Sequence, residues 1–280
     1  MTAGQPDRRS RAFTAASVPE SYQRLLAPVI FEPWAEVLVD AAGVSPGAHV
    51  LDVASGTGVV ARLAARRVGA GGRVAASDVS EAMLEHSARQ VLPEGSAPIE
   101  FVEAPAAALP FPADSFDVVV CQQGLQFFAE RLDAVREMSR VVHAGGVVCA
   151  SVWAAGYRLE PFDDYAEALI DAGAEPPFPR AFENASFVMS AGDARALFEE
   201  AGFAAPEVSV VEQTVAWSGP EAAASGILGT PFGPVVSALS SDHRRAVEAD
   251  LARRFEPKSP GAPVSRTTVA VIVRATKAAT

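Results

Sequence analysis

The sequence predicts a doubly wound α/β fold built on a parallel sheet. Three observations carry that prediction. Short apolar strand signals alternate with helical ones from His49 to Trp153, and those strands lack the polar alternation of a sheet with one wet face. One of them, in "HVLDVASGTGVVARLA", runs into a glycine-rich turn that opens a helix. With 280 residues and 49% hydrophobic content, the chain is long enough for a full core, and one decorated domain over 1–280 is expected.

Taken in order, "SYQRLLAPVIFEPWAEVLVDAAGV" sets Ile30, Trp34, Val37, Leu38 and Ala41 at the spacing of one helix face. It reads as an N-terminal helical cap (1–48), broken at Pro28 and Pro33 and closed by Gly43. Then follow "HVLDVAS" (strand), "VVARLAARRV" (helix), "GRVAASDVS" (strand), "EAMLEHSARQVL" (helix), "IEFVEA" and "FDVVVCQQ" (strands), "ERLDAVREMSRVV" (helix) and "GVVCASVW" (strand). These make a cofactor-binding core over 49–153. Helix "SAGDARALFEEAGF", with Ala194, Leu197, Phe198 and Ala201 on one face, leads to strand "PEVSVVEQTVAW", and a last strand is expected at "TTVAVIVRAT". Segments 189–217 and 268–280 complete the core. The excursions 154–188 and 218–267 are too long for plain loops and are read as lid insertions over the carboxyl edge of the sheet, with helical patterns at Pro220 to Leu228 and Pro234 to Phe255.

The formal charge of -11 disfavours a nucleic-acid backbone or an anionic membrane surface as partner, since both demand a positive face. "MTAGQPDRRSRAF" has arginines without an apolar segment behind them, and no window approaches a membrane helix, so a cytoplasmic protein is expected. Cys121 and Cys149 fall in apolar strands without spaced histidine partners, which argues for core thiols and against a metal site.

The strand and glycine turn read as delivering a ligand to a helix N-terminus. Gly56, Gly58 and Ala61 satisfy the G-x-G-x-x-G/A dinucleotide fingerprint, and Asp78, about twenty residues on, is placed to accept from ribose hydroxyls. Asp52 cuts against a dinucleotide, because its charge four residues before Gly56 repels a pyrophosphate and favours a cationic ligand. A nicotinamide oxidoreductase is disfavoured for the same reason, and because no Tyr/Lys or cysteine/histidine pair is recognisable.

In "VLDVASGTG", "ASDVSEAML", "LPFPADSFDVVVC" and "REMSRVVHAGG", in that order and at compatible spacings from Val50 to Trp153, the sequence resembles the class I S-adenosylmethionine-dependent methyltransferases of the ubiquinone/menaquinone type. The resemblance implies a Rossmann-like, seven-stranded sheet with an antiparallel last strand, and S-adenosyl-L-methionine as cofactor. It implies that Ala54, Ser55, Gly56 and Gly58 form the turn against the methionine portion and ribose, with Asp52 acting on the amino group directly or through water. Asp78 would accept from the ribose hydroxyls, Val79 and Met83 pack on the adenine, and Gln122 face the methionine end. Pro105 stands where the family often has an aspartate receiving the adenine amino group, which leaves the N–H of Ala106 as the contact there. Apart from the resemblance, Tyr22 reads either as closing over the cofactor from the cap or as a packing tyrosine.

Transfer from a sulfonium needs alignment in a water-poor cavity more than it needs a base. His49, His86 and His143 read as surface or packing residues. Candidates for positioning the acceptor are Gln126, Tyr157 and His243, with Gln123 another polar group near the expected site and Arg158 a surface residue. Trp34, Trp153, Phe127, Phe128, Phe178, Phe182, Phe187 and Phe232 are core aromatics or, where they line the lid cavity, the mark of a sizeable apolar or aromatic acceptor. The expected function is methyl transfer to such a small molecule, with specialised metabolism one source of it. The alternatives are a non-methylating use of the same fold, as a cyclase, or a sensor module.

Overall fold

The structure, a computed structural model, describes residues 18–176, 187–257, 259 and 262–279. Phe178, Phe182 and the arginine-rich start of the chain lie outside the described residues. Seven strands form one sheet in the order β3-β2-β1-β4-β5-β7-β6. They are β1 (His49–Val53), β2 (Arg73–Asp78), β3 (Ile99–Glu103), β4 (Phe116–Gln122), β5 (Val142–Trp153), β6 (Glu207–Trp217) and β7 (Val264–Thr276). The first five are parallel, and β7 runs antiparallel to both β5 and β6. Strand order reverses between β1 and β4, so their carboxyl ends diverge there and open a crevice.

Helices cover both faces, as the unbroken apolar strands require. On one face Trp34, Leu38 and Val39 of α2 (Glu32–Ala42) and Val60 and Ala64 of α3 (Val59–Val68) bury against Val50, Val118 and Cys149. On the other, Val135 and Met138 of α5 (Arg131–Val141) and Phe198 of α7 (Ala191–Glu200) meet Leu51, Val119 and Val148. Trp34 is fully buried and its Nε1–H donates to Thr268 Oγ1 at 2.9 Å, which fastens the N-terminal cap to β7.

Three elements differ from the sequence reading. Pro28 and Pro33 do not break the cap. Helix α1 (Val18–Leu25) passes into a π-helical turn at Ala27–Phe31 and then into α2, and each proline takes one of the first two positions of its segment, where its missing N–H goes unused. Helix α4 (Glu81–Ala88) stops before "RQVL", where Val91 is 92% exposed and has nothing to bury against. The pattern Pro234 to Phe255 divides into α9 (Gly233–Ala238) and α10 (Ser241–Arg254), because Ser240 Oγ accepts from His243 N–H and caps a new helix.

The two excursions carry structure of their own. The first contains α6 (Phe162–Asp171), and the second begins with α8 (Pro220–Ser225) and a tight turn at Gly226–Gly229. That turn lies on the N-terminal cap: a Cβ on Gly229 would stand 3.0 Å from Leu26 and from the Ser21 carbonyl. Tyr165 of α6 donates its hydroxyl to the Ala223 carbonyl at 2.7 Å, which ties the two excursions together.

Candidate active site

The glycine turn after β1 bends through left-handed backbone at Ala54 (φ 57°), Gly56 (φ 53°) and Gly58 (φ 79°). Gly58 is required twice. Besides its φ, a Cβ there would fall 1.9 Å from Ser87 Oγ on α4. The turn is fastened to the end of β2. Ser55 N–H donates to the Ser77 carbonyl at 3.0 Å, and Asp78 receives Gly56 N–H at 2.8 Å and Ser80 N–H at 2.9 Å, one on each carboxylate oxygen. Burial raises the pKa of Asp78 while these N–H groups pull it down. Each oxygen keeps a further lone pair for a ligand hydroxyl.

Beneath the turn stand buried polar atoms with no hydrogen-bond partner among the described residues: both oxygens of Asp52, Ser55 Oγ and Thr57 Oγ1. A native interior leaves few such atoms. Burial, reinforced by the neighbouring Asp78, pushes the Asp52 carboxyl up to about 8. The Ala61 N–H and the Arg62 guanidinium oppose this, the N–H softening the shift without meeting the carboxylate in a hydrogen bond. Tyr22 is held neutral by burial and by Asp52 and Asp78. Arg62 donates to the Thr57 carbonyl and, at 3.2 Å, to Gln23 Oε1, linking the turn to α1.

A cavity of about 660 Å³ opens from this turn along the carboxyl edge of the sheet. Ala54, Gly56 and Asp78 line one end together with Val79, Met83, Pro105 and Ala106. Val79 presents 52% of its surface, an apolar side chain left bare on the cavity wall. The other end is aromatic. Phe127 and Phe128 come from the turn after β4, Trp153 from the end of β5, Phe162 and Phe187 from the first excursion, and Phe232 from the second. Tyr22, Leu26 and Phe31 close it from the cap, with Tyr22 and Phe31 stacked at 4.7 Å.

Of the residues expected at the cofactor, Tyr22, Ala54, Gly56, Asp78, Val79, Met83, Pro105, Ala106 and Gln122 line the cavity, whereas Asp52, Ser55 and Gly58 do not. Gln122 donates Nε2–H to the Phe31 carbonyl at 2.9 Å and leaves Oε1 without a partner. Gln126 lines the cavity but is 2% exposed, and its Oε1 accepts from the Trp153 N–H at 3.3 Å. Tyr157 and His243 are not brought to the cavity. Tyr157 is exposed in the turn after β5, and His243 is exposed in the first turn of α10, beside Ser240 Oγ. Arg158 pairs with Asp164 and Glu167, both at 2.7 Å. Trp34 belongs to the core, while Phe31, Leu159 and Phe162 on the wall carried no signal separating them from ordinary apolar positions. No group of three or more metal-ligating side chains occurs among the described residues. None of their helices is long and apolar enough to cross a membrane.

The family model of the ubiE/COQ5 methyltransferase family matches residues 16–168, more than half of the chain, which include the glycine turn, strands β1 to β5 and the described part of the N-terminal cap. The chain belongs to this family. A ubiquinone/menaquinone biosynthesis C-methyltransferase UbiE from Hahella chejuensis is 42% identical over 123 residues, which are 44% of this chain and 49% of the relative. The chain thus matches about half the length of the curated relatives. Among solved structures, a phosphoethanolamine N-methyltransferase 2 of Haemonchus contortus in complex with S-adenosyl-L-methionine superposes with a TM-score of 0.62 at 15% identity, covering 99% of this chain and 61% of that one. The [4+2]-cyclase SpnF gives 0.52 at 18% identity, covering 89% and 82%. At such identities these two likenesses concern the fold.

Proposed function

We propose that this member of the ubiE/COQ5 family is an S-adenosylmethionine-dependent methyltransferase acting on a small, apolar or aromatic acceptor. The carrying observation is the two-ended cavity: a fastened glycine turn with Asp78 at one end, an aromatic wall at the other, and no barrier between them. The residues present fit the cofactor. The partnerless Asp52 side chain, ionised when a cationic group binds beside it, supplies negative potential for an ammonium and a sulfonium, Asp78 retains lone pairs for ribose hydroxyls, and the bare side chain of Val79 with Met83 offers an apolar seat.

When bound, S-adenosylmethionine supplies a methyl group on a sulfonium whose charge is discharged in the transfer. The chain's part is to hold the two reactants in line and keep water out, and alignment of this kind is worth up to about 7–11 kcal/mol. Among the described residues, the ionisable side chains lining the cavity are Tyr22, Asp78 and Glu130. Tyr22 is kept protonated, Asp78 is engaged by two N–H groups, and Glu130 is exposed at the rim. None of these is placed as a general base, which fits an acceptor that arrives already nucleophilic, as an electron-rich ring carbon, an ionised hydroxyl or an amine does.

The names of the relatives direct the finer reading toward a quinol-type ring methylated at carbon. The test has two arms: S-adenosylhomocysteine binding by calorimetry, and formation of S-adenosylhomocysteine from S-adenosylmethionine with a reduced naphthoquinol as acceptor. Binding with turnover supports the proposal. Binding without turnover over a wide range of aromatic acceptors favours a non-methylating use of the cofactor, and absence of binding overturns both.

A further inference from the structure

Among the described residues, Gln123 is the one side chain lining the cavity with both polar ends vacant and its backbone strained. It is 6% exposed, lines the cavity, and has no hydrogen-bond partner for Nε2 or Oε1 among the described residues. Its φ of 53° is left-handed, which a residue with a side chain adopts only where its surroundings enforce it. The enforcement is visible on both sides. Gln123 N–H donates to the Ser151 carbonyl at 2.9 Å, and Gly124 is pressed so closely into the core that a Cβ on it would lie 2.8 Å from both Ala54 Cβ and Cys121 Sγ. A buried amide with neither end satisfied loses the hydration of two groups and gains nothing in return within the chain. The neighbouring Gln126 differs, since its Oε1 is already taken by Trp153 N–H.

From this geometry we infer that Gln123 is the positioning residue for the acceptor, and that it selects acceptors carrying a neutral group able both to donate and to accept a hydrogen bond, such as a hydroxyl on an apolar ring. The sheet order decides which ligand it serves. Asp78 and the glycine turn lie on the β2–β1 side, whereas Gln123 hangs on the β4–β5 side, at the head of the turn that supplies Phe127 and Phe128. This assignment rests on the methyl-transfer reading, which places the cofactor at the first end and leaves the second to the acceptor. A fixed amide discriminates well at such a site, because an analogue without the polar group leaves it unpaired.

The experiment uses the full chain loaded with S-adenosylhomocysteine, and 1-naphthol, 1-methoxynaphthalene and 1-methylnaphthalene as probes of one size. Binding is read from the fluorescence of Trp153 against a Trp153→Phe control. The wild type is expected to prefer 1-naphthol to 1-methylnaphthalene about three- to tenfold, with the methoxy compound, which only accepts, between them. Gln123→Met, of nearly the same shape, is expected to erase the ranking while retaining 1-methylnaphthalene and S-adenosylhomocysteine at wild-type affinity. A wild type that ranks the probes equally or binds none of them overturns the assignment, and this arm stands even if the variant fails to fold. Persistence of the ranking in Gln123→Met, or a loss of S-adenosylhomocysteine affinity in it, overturns the assignment as well, the latter by moving Gln123 to the cofactor. Failure of the wild type to bind S-adenosylhomocysteine is a different result: it removes the methyl-transfer reading, and the assignment with it.

Discussion

The carboxylate of Asp78 accepts the backbone N–H of Gly56 at 2.8 Å, so the acid expected to grip a ligand also holds the shape of the loop that would surround it. Its other oxygen takes the N–H of Ser80, at the start of α4. One side chain at the end of β2 therefore joins two segments of the cavity wall.

Asp78→Ala is accordingly expected to act twice. It removes a charged acceptor from the ribose hydroxyls, a contact worth about 1.5–3 kcal/mol, and S-adenosylhomocysteine affinity should fall roughly 10- to 100-fold by calorimetry. It also frees the Gly56 N–H, so thermal unfolding should shift down by about 2 °C, the equivalent of about 1 kcal/mol. Asp78→Asn should recover part of the stability and little of the affinity. Undiminished affinity in folded Asp78→Ala would remove Asp78 from the ligand.

Gly58→Ala tests the turn independently of any ligand. The left-handed φ alone is expected to cost about 1–2 kcal/mol, and Ser87 must turn aside as well. Denaturant unfolding of the free protein reads this directly. A variant as stable as the wild type would mean that the turn does not hold the backbone described here.

Much of this was legible in the sequence. Helix α3 was read to the residue, because Gly58 and Gly69 punctuate an unbroken apolar face. Asp78 and the glycine turn were legible because strand, turn and helix are contiguous, and local sequence sets their geometry. The misplaced elements turned on missing packing in one case and on a concealed cap in the other. "RQVL" continues a helical pattern but finds no surface to cover, and "LSSDH" conceals a helix cap inside a longer amphipathic run. The same limit applies to the acceptor side. Gln123 and Gln126 are equivalent glutamines in "CQQGLQFF", and only the meeting of β5 with this turn shows that one is satisfied by Trp153 while the other is not.

Asp52 gives a prediction in pH. Burial raises its folded pKa from 3.8 to about 8, so the folded chain holds a proton that the unfolded chain has released. Its contribution therefore makes the free protein less stable as pH rises from about 4 to 8, and is constant outside that window. The ammonium group of S-adenosylhomocysteine favours the ionised carboxylate, so binding releases the proton and affinity should rise toward pH 8. Calorimetry in buffers of different ionisation enthalpy should show a fractional proton released at pH 6.5, absent in Asp52→Asn. An identical proton count in the two proteins would place the titration elsewhere.

Gln126→Ala is expected to disturb the wall more than a surface glutamine would. It leaves the Trp153 N–H without its acceptor and opens space under an aromatic of the cavity. Stability should drop by about 1–3 kcal/mol, and turnover should fall while S-adenosylhomocysteine affinity changes little. Equal losses in affinity and turnover would place Gln126 against the cofactor.

Pro105 offers the sharpest test of the adenine side. The segment after β3 is held by two backbone contacts, Ala104 N–H to the Asp78 carbonyl and Ala108 N–H to the Pro105 carbonyl, both at 3.0 Å, and it exposes Pro105 at the cavity with Ala106 beside it. Proline brings no side-chain acceptor to a site where the family resemblance implies one for the adenine amino group. Pro105→Asp is expected to supply it and to tighten S-adenosylhomocysteine binding by up to about 0.5–1.5 kcal/mol, roughly two- to tenfold. Loss of the proline loosens the free loop and offsets part of the gain. Comparing S-adenosylhomocysteine with its analogue lacking the amino group cancels that offset, since the loop is ordered equally by both. The variant should prefer the amino-bearing ligand more strongly than the wild type does. If the two proteins discriminate alike, the adenine is not seated against Pro105 and Ala106, and the apolar seat at Val79 and Met83 must orient it alone.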